Sequence, residues 1–148
     1  MENQHMDNIT VLLVDDEAPF VETMTKRLKK RDLDIIPAFS GKEALELLQK
    51  HANIEVVILD VKMPGMDGIE TLREIKKSYP LAEVIMLTGH ATVETGIEGM
   101  KLGAFDYLMK PCDTEQLVSK VSQAAAKLRG HQNKILEARV KEITSRRP

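Results

Sequence analysis

Short apolar runs alternate along the chain with segments in which apolar residues recur every three or four positions. Four of these runs, residues 11–14, 56–59, 84–87 and 107–109, contain no polar alternation. Such runs are typical of strands that are buried on both faces. A fifth and weaker run covers residues 35–39. The pattern therefore predicts five strands.

The segments between the runs have helical spacing, and each carries one apolar stripe. The five stripes are Phe20, Met24 and Leu28; Ala44, Leu45 and Leu48; Ile69, Leu72 and Ile75; Val93, Ile97 and Met100; and Leu117, Val121, Ala124 and Leu128. Ser40 with Glu43 has the spacing of a capping box, and Thr92 is a candidate N-cap for the fourth helix. Five strands that alternate with five helices predict a parallel sheet with helices on both faces.

Polar residues stand where the predicted strands end. Asp15 and Asp16 follow the first strand, Asp60 the third, Thr88 the fourth and Lys110 the fifth. That edge of an open α/β sheet is where ligands bind. If strands 1 and 3 are neighbours, three carboxylates converge there, and their repulsion favours a hard divalent cation such as Mg²⁺. Asp60 is then a candidate nucleophile for a phosphoryl group whose oxygens Thr88 and Lys110 contact.

Composition narrows the class of protein. With 148 residues and 43% hydrophobic content, the chain fits one compact domain and a tail. Cys112 is the single cysteine, which excludes an intramolecular disulfide. Because no apolar run has the length of a signal-peptide core or a membrane span, we expect a cytoplasmic protein without membrane insertion. The net charge of −2 argues against direct binding of nucleic acid by this chain.

Charge is unevenly distributed between the body and the C-terminus. From Lys127 onward there are seven basic residues and two acidic ones, which gives +5 there and −7 in the rest. The apolar residues of this region, Leu128, Ile135, Leu136, Val140 and Ile143, have partly helical spacing. Gly130 is expected to break the helix before this extension. The extension can be a linker to an output domain, a dimerisation segment, a basic surface for a partner or a frayed solvated helix.

Four motifs resemble those of the receiver domain of bacterial two-component response regulators. They are residues 14–16 (VDD), 59–68 (LDVKMPGMDG), 87–90 (LTGH) and 103–111 (GAFDYLMKP). In detail they are most similar to receivers of nitrogen-regulatory-type enhancer-binding activators. The resemblance implies an α/β, flavodoxin-like receiver fold with a five-stranded parallel sheet in the order 2-1-3-4-5. It places a receiver domain at residues 8–128 and leaves residues 129–148 as a basic, helical C-terminal extension or linker.

The resemblance also implies a reaction and a metal. Asp60 is expected to accept a phosphoryl group from the phosphohistidine of a sensor histidine kinase or phosphotransfer protein. Asp16, Asp60 and the backbone carbonyl of Lys62 would hold Mg²⁺, and Asp15 would contribute through water. The chain would be a signalling receiver that catalyses only its own phosphoryl transfer and autodephosphorylation, and not an enzyme acting on other substrates.

A switch follows from the same resemblance. Thr88, the Gly89 amide and Lys110 would contact the phosphoryl oxygens, and Tyr107 would turn inward as Thr88 moves toward the phosphate. The Lys110–Pro111 bond is expected to be cis. The surface around helix 4, strand 5 and helix 5 would then change and control partner binding, including a possible homodimer.

Two other functions share parts of this pattern. Phosphatases of the haloacid-dehalogenase type also use a strand-end aspartate, but they place a second Asp two residues later, where this chain has Lys62. A flavodoxin-like module would bind FMN phosphate in the loop after strand 1. Here that loop contains Asp15, Asp16 and Glu17, which would repel the phosphate. Both alternatives are therefore disfavoured.

Overall fold

A computed structural model describes residues 8–145, which form one five-stranded sheet. The strands are β1 (Thr10–Val14), β2 (Asp34–Ala38), β3 (Val56–Leu59), β4 (Glu83–Thr88) and β5 (Asp106–Met109). Their order is β2-β1-β3-β4-β5, and every neighbouring pair is parallel. The predicted fold class and sheet order are confirmed.

Helices follow each strand and cover both faces of the sheet. They are α1 (Ala18–Lys29), α2 (Gly41–Lys50), α3 (Gly68–Ser78), α4 (Val93–Lys101) and α5 (Thr114–Ser145). Alternate residues of the central strands enter two separate cores. One core contains the stripes of α1 and α5, and the other contains those of α2 and α3. The helices pack on the two faces, so loops connect the elements at the two ends of the strands. Each row of strand ends forms one edge of the sheet.

The helix starts follow the predicted capping chemistry with one difference. Ser40 Oγ accepts the amide of Glu43 at 3.1 Å, but the Glu43 carboxylate accepts the amide of Phe39 and not that of Ser40. At α4, Thr92 Oγ1 accepts the amide of Thr95 at 3.0 Å, and Thr95 Oγ1 accepts the amide of Thr92. The predicted cap at Thr92 is therefore confirmed, and the pair Ser40–Glu43 forms half of a capping box.

Helix α4 presents its apolar stripe to solvent. Val93, Ile97 and Met100 are 79, 53 and 48% exposed. Within α4, which is described throughout, Gly99 is the buried residue. The helix therefore packs on the molecule through a glycine and leaves an apolar surface that the sheet does not cover.

Helix α5 is continuous across Gly130, so the predicted break there is wrong. An interior glycine costs a helix roughly 0.5–1 kcal/mol, which its neighbours can offset. Arg129 contributes such an offset, because its guanidinium donates to both carboxylate oxygens of Glu55 at 2.6 and 2.8 Å. At 32 residues, α5 is about 48 Å long and extends past the sheet. Residues 146–148 of the predicted extension lie outside the described residues.

Within residues 8–145, no helix combines the length and apolarity needed to cross a membrane.

Candidate functional site

The register of the sheet brings the three predicted carboxylates together. Val14 of β1 pairs with Leu59 of β3, and the amide of Asp60 continues that ladder by donating to the Val14 carbonyl at 3.0 Å. One carboxylate oxygen each from Asp15, Asp16 and Asp60 lies within 4.8 Å of the others. The cluster predicted from the ends of strands 1 and 3 is thus present, and we call the edge of the sheet that carries it the acidic edge.

Asp60 combines burial with an unused acceptor. Its side chain is 3% exposed, and within residues 8–145 its Oδ1 has no hydrogen-bond partner. Yet the residue also lines a cavity of about 460 Å³, together with the more exposed Asp16, Lys62 and His90. A buried, unpaired carboxylate oxygen beside an open cavity is suited to receive a ligand, because an unsatisfied acceptor is costly to keep.

Lys110 is held beside the carboxylates by three contacts. Its Nζ donates to Asp15 Oδ2 at 2.6 Å and to Glu17 Oε1 at 3.2 Å, and it lies 3.9 Å from the centre of the Phe20 ring. Burial alone would lower the pKa of Lys110, but the hydrogen bond to Asp15 and the nearby negative charges raise it above its ordinary value. The side chain therefore remains a cation at neutral pH.

Burial disfavours the charged form of Asp15, the carboxylate that pairs with Lys110. Burial raises the pKa of Asp15 above the usual range, and the hydrogen bond from Lys110 opposes the shift. Asp60 adds a repulsive charge in the same direction as burial. The site therefore concentrates negative charge that one lysine offsets only in part.

Thr88 lies at the end of β4, fully buried. Its Oγ1 accepts the amide of His90 at 3.0 Å, which leaves the hydroxyl hydrogen available for another acceptor. The amide of Lys110 donates to the Thr88 carbonyl at 2.9 Å, so the ends of β4 and β5 are joined at this edge. Gly89 follows Thr88 in an exposed loop.

Tyr107 points toward α4. Its hydroxyl is 2.6 Å from Thr95 Oγ1, and a Cβ added at Gly96 or Gly99 would lie 3.8–4.0 Å from its ring. The ring therefore rests on the glycine face of α4 and is tied to the first turn of that helix. Next to this strand, the Lys110–Pro111 bond is cis.

Gly68 positions the backbone that carries Asp60. Its amide donates to the Val61 carbonyl at 2.7 Å, and a Cβ there would lie 2.6 Å from the Val61 Cα and closer still to the Asp60 carbonyl oxygen. Only glycine allows α3 to begin so close to this loop. This close approach explains why the residue must be glycine.

Three contributing residues were not predicted as part of the site. Glu17 and Phe20 contact Lys110, and Thr95 binds Tyr107. Glu17 directly follows the Asp pair, so its position was a usable signal. The spacing places Phe20 in the apolar stripe of α1, and nothing in that spacing points to a lysine ninety residues away.

The residues present fit a magnesium ion. The cluster offers only carboxylate oxygens, one of its members is exposed, and it borders a cavity large enough for water. Mg²⁺ prefers oxygen ligands, uses one or two carboxylates and retains several waters. The donor set therefore suits Mg²⁺ better than the softer transition metals.

Comparisons with known proteins agree on one family. Residues 11–122 match the family model described as the response regulator receiver domain. The transcriptional regulatory protein ZraR of Escherichia coli K12 is 38% identical over 120 residues, which are 81% of this chain and 27% of that protein. The chain thus spans only about a quarter of this relative's length.

Solved structures give the same result. A response regulator receiver domain protein from Clostridium thermocellum is 35% identical with a TM-score of 0.77, covering 86% of this chain and 98% of that one. The receiver domain of NtrX from Brucella abortus is 30% identical with a TM-score of 0.73, covering 78% of this chain and 98% of that one.

Proposed function

The chain belongs to the response regulator receiver domain family, whose general function is a phosphorylation-dependent switch, and from that premise we propose that Asp60 is its phosphoryl acceptor. The observation that carries the proposal is that Asp60 lines the cavity and that its buried Oδ1 has no hydrogen-bond partner among the described residues. The proposed donor is the phosphohistidine of a sensor histidine kinase or phosphotransfer protein. In the transfer, an Asp60 oxygen bonds to phosphorus as the phosphorus–nitrogen bond breaks, and the histidine leaves with the electron pair.

The surrounding residues would stabilise the transferred group. Lys110 remains protonated beside Asp15 and can neutralise a phosphoryl oxygen on Asp60. The Thr88 hydroxyl and the Gly89 amide would donate to the other oxygens. Positioning and electrostatics of this kind are most of what a protein supplies for phosphoryl transfer.

A metal completes the proposed site. Receiver domains bind Mg²⁺ in an acidic pocket, and the cluster of Asp15, Asp16 and Asp60 is such a pocket. We assign Asp16, Asp60 and the backbone carbonyl of Lys62 as ligands, with Asp15 acting through water. When bound, the ion would neutralise the carboxylates and draw charge from the phosphoryl oxygens.

The signal would leave through α4 and β5. Movement of Thr88 toward a phosphoryl group would open space for Tyr107 to turn inward, which requires its hydrogen bond to Thr95 to break. The surface formed by α4, β5 and α5 would change and control binding of a partner protein or a homodimer. Its exposed Val93, Ile97, Met100 and Met109 are suited to such contacts.

The acceptor is tested by incubation with a small-molecule phosphodonor and Mg²⁺ followed by intact mass measurement. The wild-type protein should gain one phosphoryl group, and Asp60→Asn should gain none. Asp32→Asn is the matched control, because Asp32 lies at a positive φ of 64° that asparagine tolerates and far from the acidic edge. Equal phosphorylation of wild type and Asp60→Asn, or of neither, would refute the assignment.

A further inference from the structure

The end of α5, residues 129–145, carries an apolar stripe that nothing in the described chain covers. These residues are the described part of the C-terminal extension, and they are called the extension below. Every side chain from His131 to Ser145 is exposed, and Ile135, Leu136, Val140 and Ile143 are 44, 61, 54 and 63% exposed. In proteins most helical stability comes from packing of an apolar face, and residues 131–145 pack none against the rest of the described chain. The extension therefore has the properties of a helix that is stabilised by a partner.

The spacing of its residues specifies what kind of partner. Asn133, Leu136, Val140 and Ile143 follow one another at intervals of three, four and three, which are the a, d, a and d positions of a heptad repeat. Val140 at a with Leu136 at d is the combination that favours two parallel strands, whereas Ile143 places a β-branched residue at the next d, and the single asparagine at a fixes the register. The complement of this stripe is the same stripe on a second copy.

The charged residues beside the stripe favour the same orientation. In a parallel, in-register pair, position g of one helix faces the next position e of the other. Gln132 would then face Glu137, and Arg139 would face Thr144, so no like charges meet. In an antiparallel pair that matches the same four positions, Arg139 would face its own copy, as would Glu137. Like charges in such positions are destabilising, so the parallel pair is preferred.

A contact between α5 and the rest of its own chain determines where pairing of two extensions can begin. Arg129 occupies the d position one heptad before Leu136, but its guanidinium donates to both oxygens of Glu55 in its own chain. Both side chains of this pair are partly buried, at 25 and 16% exposure. The bidentate pair fixes the direction in which the extension leaves the sheet. Pairing between two copies would therefore begin after Arg129, at Asn133.

We propose that the extensions of two copies form a short, parallel, in-register coiled coil whether or not Asp60 is phosphorylated. This association differs from the proposed switch surface, since it uses none of α4 or β5. It also requires no ligand at the acidic edge.

Thiol crosslinking tests the geometry directly. In a Cys112→Ser background, Val140→Cys places a thiol at an a position, where partner thiols meet in a parallel pair. Ala138→Cys is the control, because Ala138 is exposed at position f on the opposite side of the helix. Under mild oxidation without phosphodonor, we expect Val140→Cys to form a disulfide-linked dimer at least about tenfold faster than the control. Equal rates for the two variants would overturn the proposal.

A mixed experiment distinguishes the two orientations. An antiparallel pair would bring Leu136 of one copy beside Val140 of the other. If Leu136→Cys and Val140→Cys crosslink faster when mixed than either does alone, the pair is antiparallel and the parallel proposal is wrong.

Analytical ultracentrifugation tests association without a crosslink. The wild-type chain should form dimers with rising concentration, and Leu136→Glu combined with Val140→Glu should lower the association constant at least about tenfold. Ala138→Glu should associate like wild type. Asp60→Asn should also associate like wild type, so that failure here is distinct from failure of the phosphoryl-acceptor assignment. A wild-type chain that stays monomeric up to its solubility limit would refute the proposal.

Discussion

Lys110 shows how a single side chain can be held ready for a group that is added later. Its ammonium is fixed from one side by Asp15 and Glu17 and from another by the face of the Phe20 ring. The carboxylates supply charge, whereas the ring supplies a contact that does not compete for a hydrogen bond. Lys110 can therefore turn one hydrogen bond toward a phosphoryl oxygen while the ring keeps its position.

We predict that Phe20→Leu slows phosphorylation by a small-molecule phosphodonor by about two- to fivefold, the equivalent of a contact of roughly 0.5–1 kcal/mol. Leucine preserves the apolar packing of α1 but removes the ring beneath Lys110. The control is Phe20→Tyr, which retains an aromatic face and should react close to the wild-type rate. Rates are measured by intact mass over time, with thermal melting to establish that both variants are folded. Identical rates for the leucine and tyrosine variants would contradict a positioning role.

The site residues that the sequence predicts are those next to the ends of strands. Asp15, Asp60, Thr88 and Lys110 lie at or directly after the end of a strand, and parallel strands bring such ends to one edge whatever the loops do. The roles of Phe20, Thr95 and Gly68 depend instead on how a helix or loop approaches another part of the chain. Such approaches are set by tertiary packing and leave no spacing signal in the sequence.

At the scale of elements, apolar spacing predicted which segments are helices but not what covers them. The stripes of α3 and α4 both have helical spacing, yet α3 buries Leu72 and Ile75 whereas α4 exposes Val93 and Ile97. Apolar periodicity shows which face of a helix is apolar, but it does not show what packs against that face. The wrong prediction at Gly130 has a related cause, because one glycine is too small a penalty to end a helix that Arg129 anchors to Glu55.

The exposed stripe of α4 predicts a phosphorylation-dependent dimer. The background is the chain with Leu136→Glu and Val140→Glu, which keeps the extension from pairing. In that chain, beryllium fluoride with Mg²⁺ as a phosphoryl mimic should shift the protein from monomer to dimer in size-exclusion chromatography. Adding Ile97→Glu should weaken this dimer about tenfold or more, because a charge would enter an apolar contact.

The control for that dimer is Gln49→Glu, which introduces the same charge on the exposed surface of α2. It should dimerise like the background chain. If beryllium fluoride leaves the background chain monomeric, or if Ile97→Glu dimerises as well as Gln49→Glu, the α4 surface is not the contact.

On the scale of the whole molecule, helix α5 runs from one edge of the sheet to the other, and the two edges have different functions. It begins at Thr114, just after Lys110 and Pro111, and it passes Glu55 at the start of β3 on the opposite edge. The acidic edge would bind metal and phosphoryl group, and the far edge directs the extension. Any shift of Lys110 toward a phosphoryl group therefore acts near one end of a continuous helix whose other end lies about 48 Å away.

The acidic edge should also make global stability depend on Mg²⁺. Three carboxylates within 4.8 Å of one another repel in the folded state but not in the unfolded chain, where they separate. A metal that binds only the folded state stabilises it by about 1.4 kcal/mol at roughly ten times its dissociation constant. For a chain of this size, we expect the melting temperature to rise by roughly 3–6 °C with Mg²⁺ over a sodium chloride control of equal ionic strength.

Asp16→Asn tests the carboxylate repulsion and the Mg²⁺ binding separately. Asp16 is the exposed member of the cluster, so it can be changed without leaving a buried gap. Removing one of three like charges should raise the melting temperature without metal, and it should also remove most of the response to Mg²⁺. Asp32→Asn should behave as wild type in both conditions. Differential scanning calorimetry measures both quantities, and an Asp16→Asn protein with an undiminished Mg²⁺ response would show that the ion binds elsewhere.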